Sequence, residues 1–325
     1  MNNYRFELNG NDITDHILSF NYSEDLKDVA SDFGFTSLVN YGLTSEDKLN
    51  SIKVMDAVTN DVAYFGYVTD FEHTTDKNVY SYTGFDVGFY LNKNEVIKQF
   101  DNANIGEAIQ SLCDEYEVKL DYKPVFQNTV SKIYKDVVFS DILKELLELE
   151  KTKGGNKNIF IDCKLGNLDI LTYQKKTDLS AVIANNIRVN SYSTIAEVET
   201  QKSIQGLKNK VIYSNNDEKS VFQVEQHNQD SINTYGLLTS VETIDTNKNN
   251  NLLQLAQNKV DELNNPKETY SIKKMLGDYR VAKGIILDLD LPEYDLLGNY
   301  LIISVKHNID NNKELIDFKM EKFSD

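Results

Sequence analysis

Acidic oxygens are the commonest chemistry-bearing groups in this chain, and Asp288-Leu289-Asp290, with Glu293 and Asp295 close behind, is the densest candidate for an ion site. Hard cations favour clustered oxygen ligands, so the spacing raises that chemistry. Alternation gives a simpler account. In a strand Asp288 and Asp290 point to one side and Leu287, Leu289 and Leu291 to the other, which predicts a solvated acidic face. The remaining candidates are sparser. His16, His73, His227 and His307 are scattered, with no H-E-x-x-H or C-x-x-C spacing to gather zinc ligands. Cys113 and Cys163 stand singly in a predicted helix and strand, where a small buried thiol is the expected state rather than a bridge. Neither phosphate-cradling glycine motif occurs, and no G-x-S-x-G elbow is present. With 51 Asp and Glu, chance carboxylate pairs are abundant, so none singles out glycoside hydrolysis. The reading assigns no catalytic, cofactor-binding or metal residue and implies no cofactor.

The elements that would position such residues fall into three parts. Residues 1–91 carry short alternating segments rich in Tyr, Phe, Val and Thr, which predicts a β-barrel-like domain. Tyr4 to Leu8 alternates before Asn9-Gly10, a pair suited to a tight hairpin. Ser51 to Met55 leads through Thr59-Asn60-Asp61 into Ala63 to Val68, and Val79 to Phe85 follows as another strand. At about residue 92 the period changes to 3.6, and residues 92–187 read as an α/β domain. There Asn104 caps a helix in which Ile105, Ala108, Ile109, Leu112, Cys113 and Tyr116 form one apolar stripe, with Glu107 placed for a capping box. Ser140 is placed as the cap of a second helix carrying Ile142, Leu143, Leu146, Leu147 and Leu149, ended by Gly154-Gly155. The turn Gly166-Asn167 separates two strands between Ile159 and Tyr173.

Residues 188–325 return to strands, at Lys210 to Ser214, Val221 to Val224, Leu237 to Ile244, Tyr279 to Leu287 and Tyr300 to His307. A helix is inserted near 251–264, with Leu252, Leu255, Ala256, Val260 and Leu263 on one face and Asn264-Asn265-Pro266 closing it. The predicted class is therefore α+β, β-dominated and multidomain, with two β-barrel-like domains adjoining a small α/β domain.

Composition narrows the function. The net charge is −17, and residues 1–90 hold 15 acids against 5 bases. Nucleic-acid binders draw affinity from cationic side chains, so stable binding of DNA or RNA is disfavoured. The longest apolar runs, Gly284 to Leu287 and Tyr300 to Ile303, fall far short of the roughly 20 residues of a membrane span. Met1 to Glu7 lacks the pattern of a signal peptide, which points to synthesis and retention in the cytoplasm.

The order of segments resembles the baseplate hub family of contractile phage tails and phage-tail-like particles, including tail proteins of defective Bacillus-type prophages and, more distantly, late control D-type tail proteins. In the middle part the resemblance rests on Tyr90-Leu91-Asn92-Lys93-Asn94, Ile109-Gln110-Ser111-Leu112-Cys113, Ile133-Tyr134-Lys135-Asp136 and Phe139-Ser140-Asp141-Ile142-Leu143. Towards the C-terminus it rests on Tyr235-Gly236-Leu237-Leu238, Ala256 to Leu263, Leu276-Gly277-Asp278, Gly298 to Ile302 and Ser304-Val305-Lys306-His307.

The resemblance implies two tube domains per chain in a homotrimeric ring that joins the tail tube protein to a central spike among other baseplate proteins. It also implies assembly in the bacterial cytoplasm, a final place in the particle and no enzymatic activity. Gly236, Gly277 and Gly298 match the family's pattern and are read as turn residues. Two readings compete with this one: a carbohydrate- or surface-binding β module, favoured by the many Tyr and Asn residues, and a tail-associated cell-wall hydrolase.

Overall fold

A computed structural model describes residues 4–45, 48–74, 78–192, 197–214, 223–243, 252–310 and 313–324. The chain divides into two compact units, residues 1–199 with 271–325, and residues 200–270. Strand predominates over helix, as expected.

The larger unit is built on a thirteen-stranded sheet. From one edge its order runs Asn11–Asp12, Tyr4–Leu8, Ser51–Asp56, Val62–Thr74, Val79–Phe85, Asp32–Ser37, Ile17–Asp25, Leu296–Asp310 and Lys313–Lys322, and continues through Lys267–Leu276 to Glu197–Ser203. The two ends of the chain meet in this sheet, because Leu296–Asp310 pairs antiparallel with Ile17–Asp25 from Ser304 opposite Asp25 to Asp310 opposite Ser19. Asn9 and Gly10 both have positive φ, so the first hairpin takes the predicted tight turn. Alternation buries Phe6, Leu8, Phe20, Tyr22, Phe33, Phe35, Ile52, Val54, Tyr64 and Tyr82 in one aromatic-rich core.

Among the described residues the backbone ladder forms no closed barrel. The sheet nevertheless curls, since Tyr4 reaches Glu314 although six strands lie between theirs in the order. Side chains, not a strand pair, bridge the opening.

Between the first and last sheet segments lies an α/β layer. Glu95–Asn104 pairs with Thr129–Val138, while Ile159–Asp162 and Leu120–Tyr122 flank Leu168–Thr172. Helices Ile105–Glu115 and Phe139–Thr152 pack here, burying Ile105, Ile109, Leu112, Phe139, Ile142, Leu143 and Leu146. Asn104 caps the first helix as predicted, its Oδ1 accepting from the Gly106 amide at 2.9 Å. Ser140 is not a cap: the second helix starts at Phe139 without a side-chain cap, and Ser140 is buried in its first turn. The Phe139 amide instead donates to the Asn94 carbonyl at 2.9 Å, so a backbone oxygen from another segment satisfies the helix start.

Helix Thr177–Tyr192 runs across the border expected between residues 92–187 and 188–325. Leu179, Ile183 and Ile187 recur at helical spacing and are buried. The predicted strand Tyr279 to Leu287 is displaced along the chain and runs Ile285–Leu291. Asp278 and Arg280 form an ion pair at 2.6 Å and the Val281 amide closes onto the Asp278 carbonyl, so that stretch turns before the strand begins.

The smaller unit holds a three-stranded sheet ordered Gln223–His227, Lys210–Ser214, Thr239–Thr243, with the central strand parallel to the last. Helix Leu252–Leu263 covers one face, where Val211, Tyr213, Ala256 and Val260 form the core. A second helix, Gln229–Tyr235, was not expected; Asn228 caps it, accepting from the Ser231 amide at 2.9 Å. The expected strand Val221 to Val224 falls partly outside the described residues, and Gln223–His227 occupies its described end.

Candidate functional site

The densest functional-looking chemistry lies where the curled sheet fails to close. Strand alternation turns Val305, His307 and Ile309 inward on Leu296–Asp310. His307 is fully buried and lies flat against Tyr22 of the neighbouring strand, with ring centroids 4.2 Å apart and planes 4° from parallel. Its Nδ1 is 2.5 Å from Glu314 Oε1, and its Nε2 is 2.9 Å from the Val281 carbonyl. A carbonyl only accepts, so Nε2 carries a hydrogen. The other carboxylate oxygen of Glu314 accepts from the Tyr4 hydroxyl. Burial, followed by the Glu314 charge, pushes the Tyr4 phenol upward.

This Tyr–Glu–His group borders a cavity of about 700 Å³ lined by Asp56, Thr59, Asp61, Asp278, Tyr279 and Arg280, among others. The Tyr279 hydroxyl donates to Asp61 at 2.7 Å across the same opening. Gly277 is not the turn residue the sequence suggested: a Cβ there would lie 2.1 Å from the Glu314 side chain, so glycine is required by close approach. Gly236 has a positive φ at the end of helix Gln229–Tyr235, in keeping with a turn, whereas Gly298, also of positive φ, lies within strand Leu296–Asp310 opposite Leu289.

Chemically the group is a clamp. General base catalysis needs a nitrogen facing substrate. Both nitrogens of His307 are engaged by protein atoms, and the ring has no exposed surface.

A second buried charge cluster underlies the α/β layer. Glu24 accepts from Lys164 at 3.2 Å, and both side chains are largely inaccessible. The two oxygens of Asp86 accept from the backbone amides of Ser31 at 3.0 Å and Gly88 at 2.8 Å. Burial raises Asp86 to about 7, although those amides and the Lys283 charge pull the other way; Asp162 adds to the rise. Lys283 is itself buried, its ammonium 3.4 Å from the carbonyls of Asp25 and Asp28. Burial would lower Lys164, but Glu24 and Asp162 outweigh it and raise it. Glu24 Oε2 and Asp162 Oδ1 have no hydrogen-bond partner among the described residues.

The acidic run is a surface feature. Asp288 and Asp290 lie on the exposed side of Ile285–Leu291, opposite buried Leu287, Leu289 and Leu291. Asp288 pairs with Lys175 at 2.7 Å, Glu293 sits in a 3-10 turn, and Asp295 follows it with φ of 58°. Among the described residues no group of three or more His, Cys, Asp or Glu is placed to hold a metal ion.

The other histidines stay apart. His16 contacts the Tyr41 hydroxyl at 2.6 Å, His73 stacks on Tyr80, and His227 faces Lys210 in a strand pair. Cys113 and Cys163 are both free and buried, and burial pushes the Cys113 thiol up to about 12. The sequence reading did not single out Tyr4, Glu314 or Asp86. The inward alternation of Val305, His307 and Ile309 was the available signal for the first group.

The model of the YQBQ-like family matches residues 20–321. Phage-like element PBSX protein XkdQ of Bacillus subtilis is 19% identical over 246 residues, 75% of this chain and 73% of that protein. The 43 kDa tail protein of prophage MuSo2 from Shewanella oneidensis matches with a TM-score of 0.71 at 11% identity, covering 99% of this chain and 98% of the other. The E. coli c3393 protein is a type VI secretion component described as structurally similar to the T4 bacteriophage tail proteins gp27 and gp5. It matches with a TM-score of 0.56 at 10% identity, over 95% of this chain and 74% of its own. At these identities the structural likenesses establish a shared fold.

Proposed function

This chain belongs to the YQBQ-like family, and from that premise we propose that it is the structural, non-enzymatic hub of a contractile tail's baseplate. In this reading three copies form a ring that joins the tail tube protein to the central spike and to other baseplate proteins. Residues 1–91 and 188–325 supply two tube domains per chain, and residues 92–187 form the α/β part. Assembly takes place in the bacterial cytoplasm, and the finished protein resides in a virion or phage-tail-like particle.

The observation that carries the reading is the likeness to a prophage tail protein over 99% of this chain and 98% of that one. The whole architecture is shared, not one module. The clamp at His307 supports a structural role, because its polar groups are consumed in holding distant strands together. A charge of −17 per chain, tripled in a ring, would keep a passing phosphate backbone from adhering.

The test is sedimentation of particles from an induced culture, probing the fractions for this chain alongside negative-stain microscopy. Recovery in sheathed tails, with threefold density at the tube's end on imaging, is the expected result. Slow-sedimenting protein in a culture whose tails lack it overturns the hub.

A further inference from the structure

On the solvent side of the large sheet, alternation should leave polar side chains, yet five aromatic residues adjoin there. Phe65 and Tyr67 project from Val62–Thr74, Phe85 ends the next strand, and Phe89 and Tyr90 follow in the short helix Gly88–Lys93. Their rings meet in sequence: Phe65 to Tyr67 at 5.4 Å and 90°, Tyr67 to Tyr90 at 5.6 Å and 76°, Tyr90 to Phe89 at 5.5 Å, and Phe89 to Phe85 at 5.8 Å. The first three contacts are edge-to-face and leave part of each ring's face open, whereas Phe85 and Phe89 stack at 18°. None of the five is buried.

A groove of about 650 Å³ opens beside Phe65, Tyr67 and Tyr90, and Asn9, Asn11 and Ser51 line it with them. Its floor is fixed by backbone. Ser51 stands opposite Tyr67 in the ladder, and its amide donates to Asn9 Oδ1 at 2.9 Å. Phe65 donates its amide to the Lys164 carbonyl at 2.8 Å and packs its ring against Gly166, where a Cβ would come within 2.8 Å. The phenol hydroxyls of Tyr67 and Tyr90 and the amide of Asn11 have no hydrogen-bond partner among the described residues.

We infer that this groove binds an oligosaccharide, with pyranose rings laid against Tyr67 and Tyr90. A sugar ring offers an apolar C–H face to an aromatic ring and a rim of hydroxyls to amide and phenol groups. Both complements occur here in a cleft of ordinary ligand size. A purely apolar guest would leave the two hydroxyls and the amide unpaired, and a highly charged one would gain little from the rings.

The inference does not depend on the hub reading. A chain absent from tails can still bind sugar, and a chain in tails can fail to.

Full-length protein would be examined by saturation-transfer NMR with three hexasaccharides, β-1,4-linked N-acetylglucosamine, cellohexaose and maltohexaose, followed by titration of any that respond. At least one should bind, and Tyr67→Ala and Tyr90→Ala should each weaken it about tenfold or more. Tyr122→Ala, at an exposed site elsewhere, should leave binding unchanged. Tyr90→Phe guards against misfolding, since it keeps the ring and should retain part of the affinity.

No transfer to any of the three at millimolar concentration overturns the inference. So does binding that both alanine variants leave intact. Self-association that Tyr90→Ala abolishes, without a saccharide signal, would assign the groove to a second copy and overturn it equally.

Discussion

The two buried polar clusters of the larger unit solve different problems. At the sheet opening, Tyr4 lies on a strand far in the order from the neighbouring strands that carry Glu314 and His307, and every hydrogen-bonding atom of the imidazole has a protein partner. Beneath the α/β layer, Glu24, Asp86, Asp162, Lys164 and Lys283 bring five charges together, and two carboxylate oxygens remain unpartnered. A saturated network fixes one geometry, whereas an unsaturated one holds charge whose free energy changes with protonation. The first should therefore govern whether the sheet stays curled, and the second how stability depends on pH.

Breaking the saturated cluster should have the largest effect. Glu314→Ala leaves the Tyr4 hydroxyl and His307 Nδ1 buried without a hydrogen-bond partner, and we expect a loss of about 3–5 kcal/mol in urea unfolding. Replacing all three side chains together, Tyr4→Phe with Glu314→Leu and His307→Phe, should cost less than Glu314→Ala alone, because the buried hydroxyl and imidazole go with their acceptor and only the Val281 carbonyl loses a partner. A triple variant worse than the single one would contradict the clamp.

The unsaturated cluster is tested by pH. The carboxyl of Asp86 sits at about 7 when folded, above its unfolded value of about 3.9. The folded state therefore holds an extra proton between those limits, so this group's contribution to stability falls as pH rises from about 4 to about 7. The groups facing it are the Ser31 and Gly88 amides, Lys283, Asp162, Cys163 and the Tyr64 ring. Asp86→Asn should flatten that slope, removing on the order of 2–4 kcal/mol of the difference between pH 4.5 and pH 8. Unfolding curves at the two pH values for both proteins measure it, and parallel slopes would refute the assignment.

What the sequence revealed follows the reach of each interaction. The Asn9-Gly10 hairpin, the helix over Ile105–Glu115 and the two-sided strand at Asp288 and Asp290 were legible because a local period or a turn pair specifies each. The Tyr4 to Glu314 contact spans 310 positions, which no local pattern encodes. Helix Thr177–Tyr192 was not among the predicted elements, since Asn185 and Asn186 are poor helix formers, although Leu179, Ile183 and Ile187 carried its stripe. Whether the β-barrel-like domains close was illegible on similar grounds: alternation shows which face is buried but not whether the last strand finds the first. Resemblance supplied the tail family, whereas composition only excluded alternatives.

Gly277 sharpens the comparison at smaller amplitude. A methyl group there meets the Glu314 side chain rather than open space, so Gly277→Ala should cost about 1–3 kcal/mol by displacing the clamp. In a Glu314→Ala background the same substitution should cost much less, since the obstructing atoms are gone. A double-mutant cycle reads this coupling directly. Additive effects would mean that Gly277 is needed for its backbone and not for the clamp.

The smallest effect should come from the exposed charges, which set a baseline for both buried clusters. Lys175 and Asp288 pair at 2.7 Å with side-chain exposures of 46% and 49%. Solvent screens such a pair, and ordering two side chains offsets most of its attraction. Asp288→Ala should therefore change unfolding stability by no more than about 0.5 kcal/mol, and 0.5 M salt should shrink even that. Because Asp288 and Asp86 are chemically identical groups, the contrast between their substitutions isolates environment as the cause. If Asp288→Ala shifted stability as much as Asp86→Asn does, burial would lose its place as the property that distinguishes the pH-responsive cluster from the rest of this acidic chain.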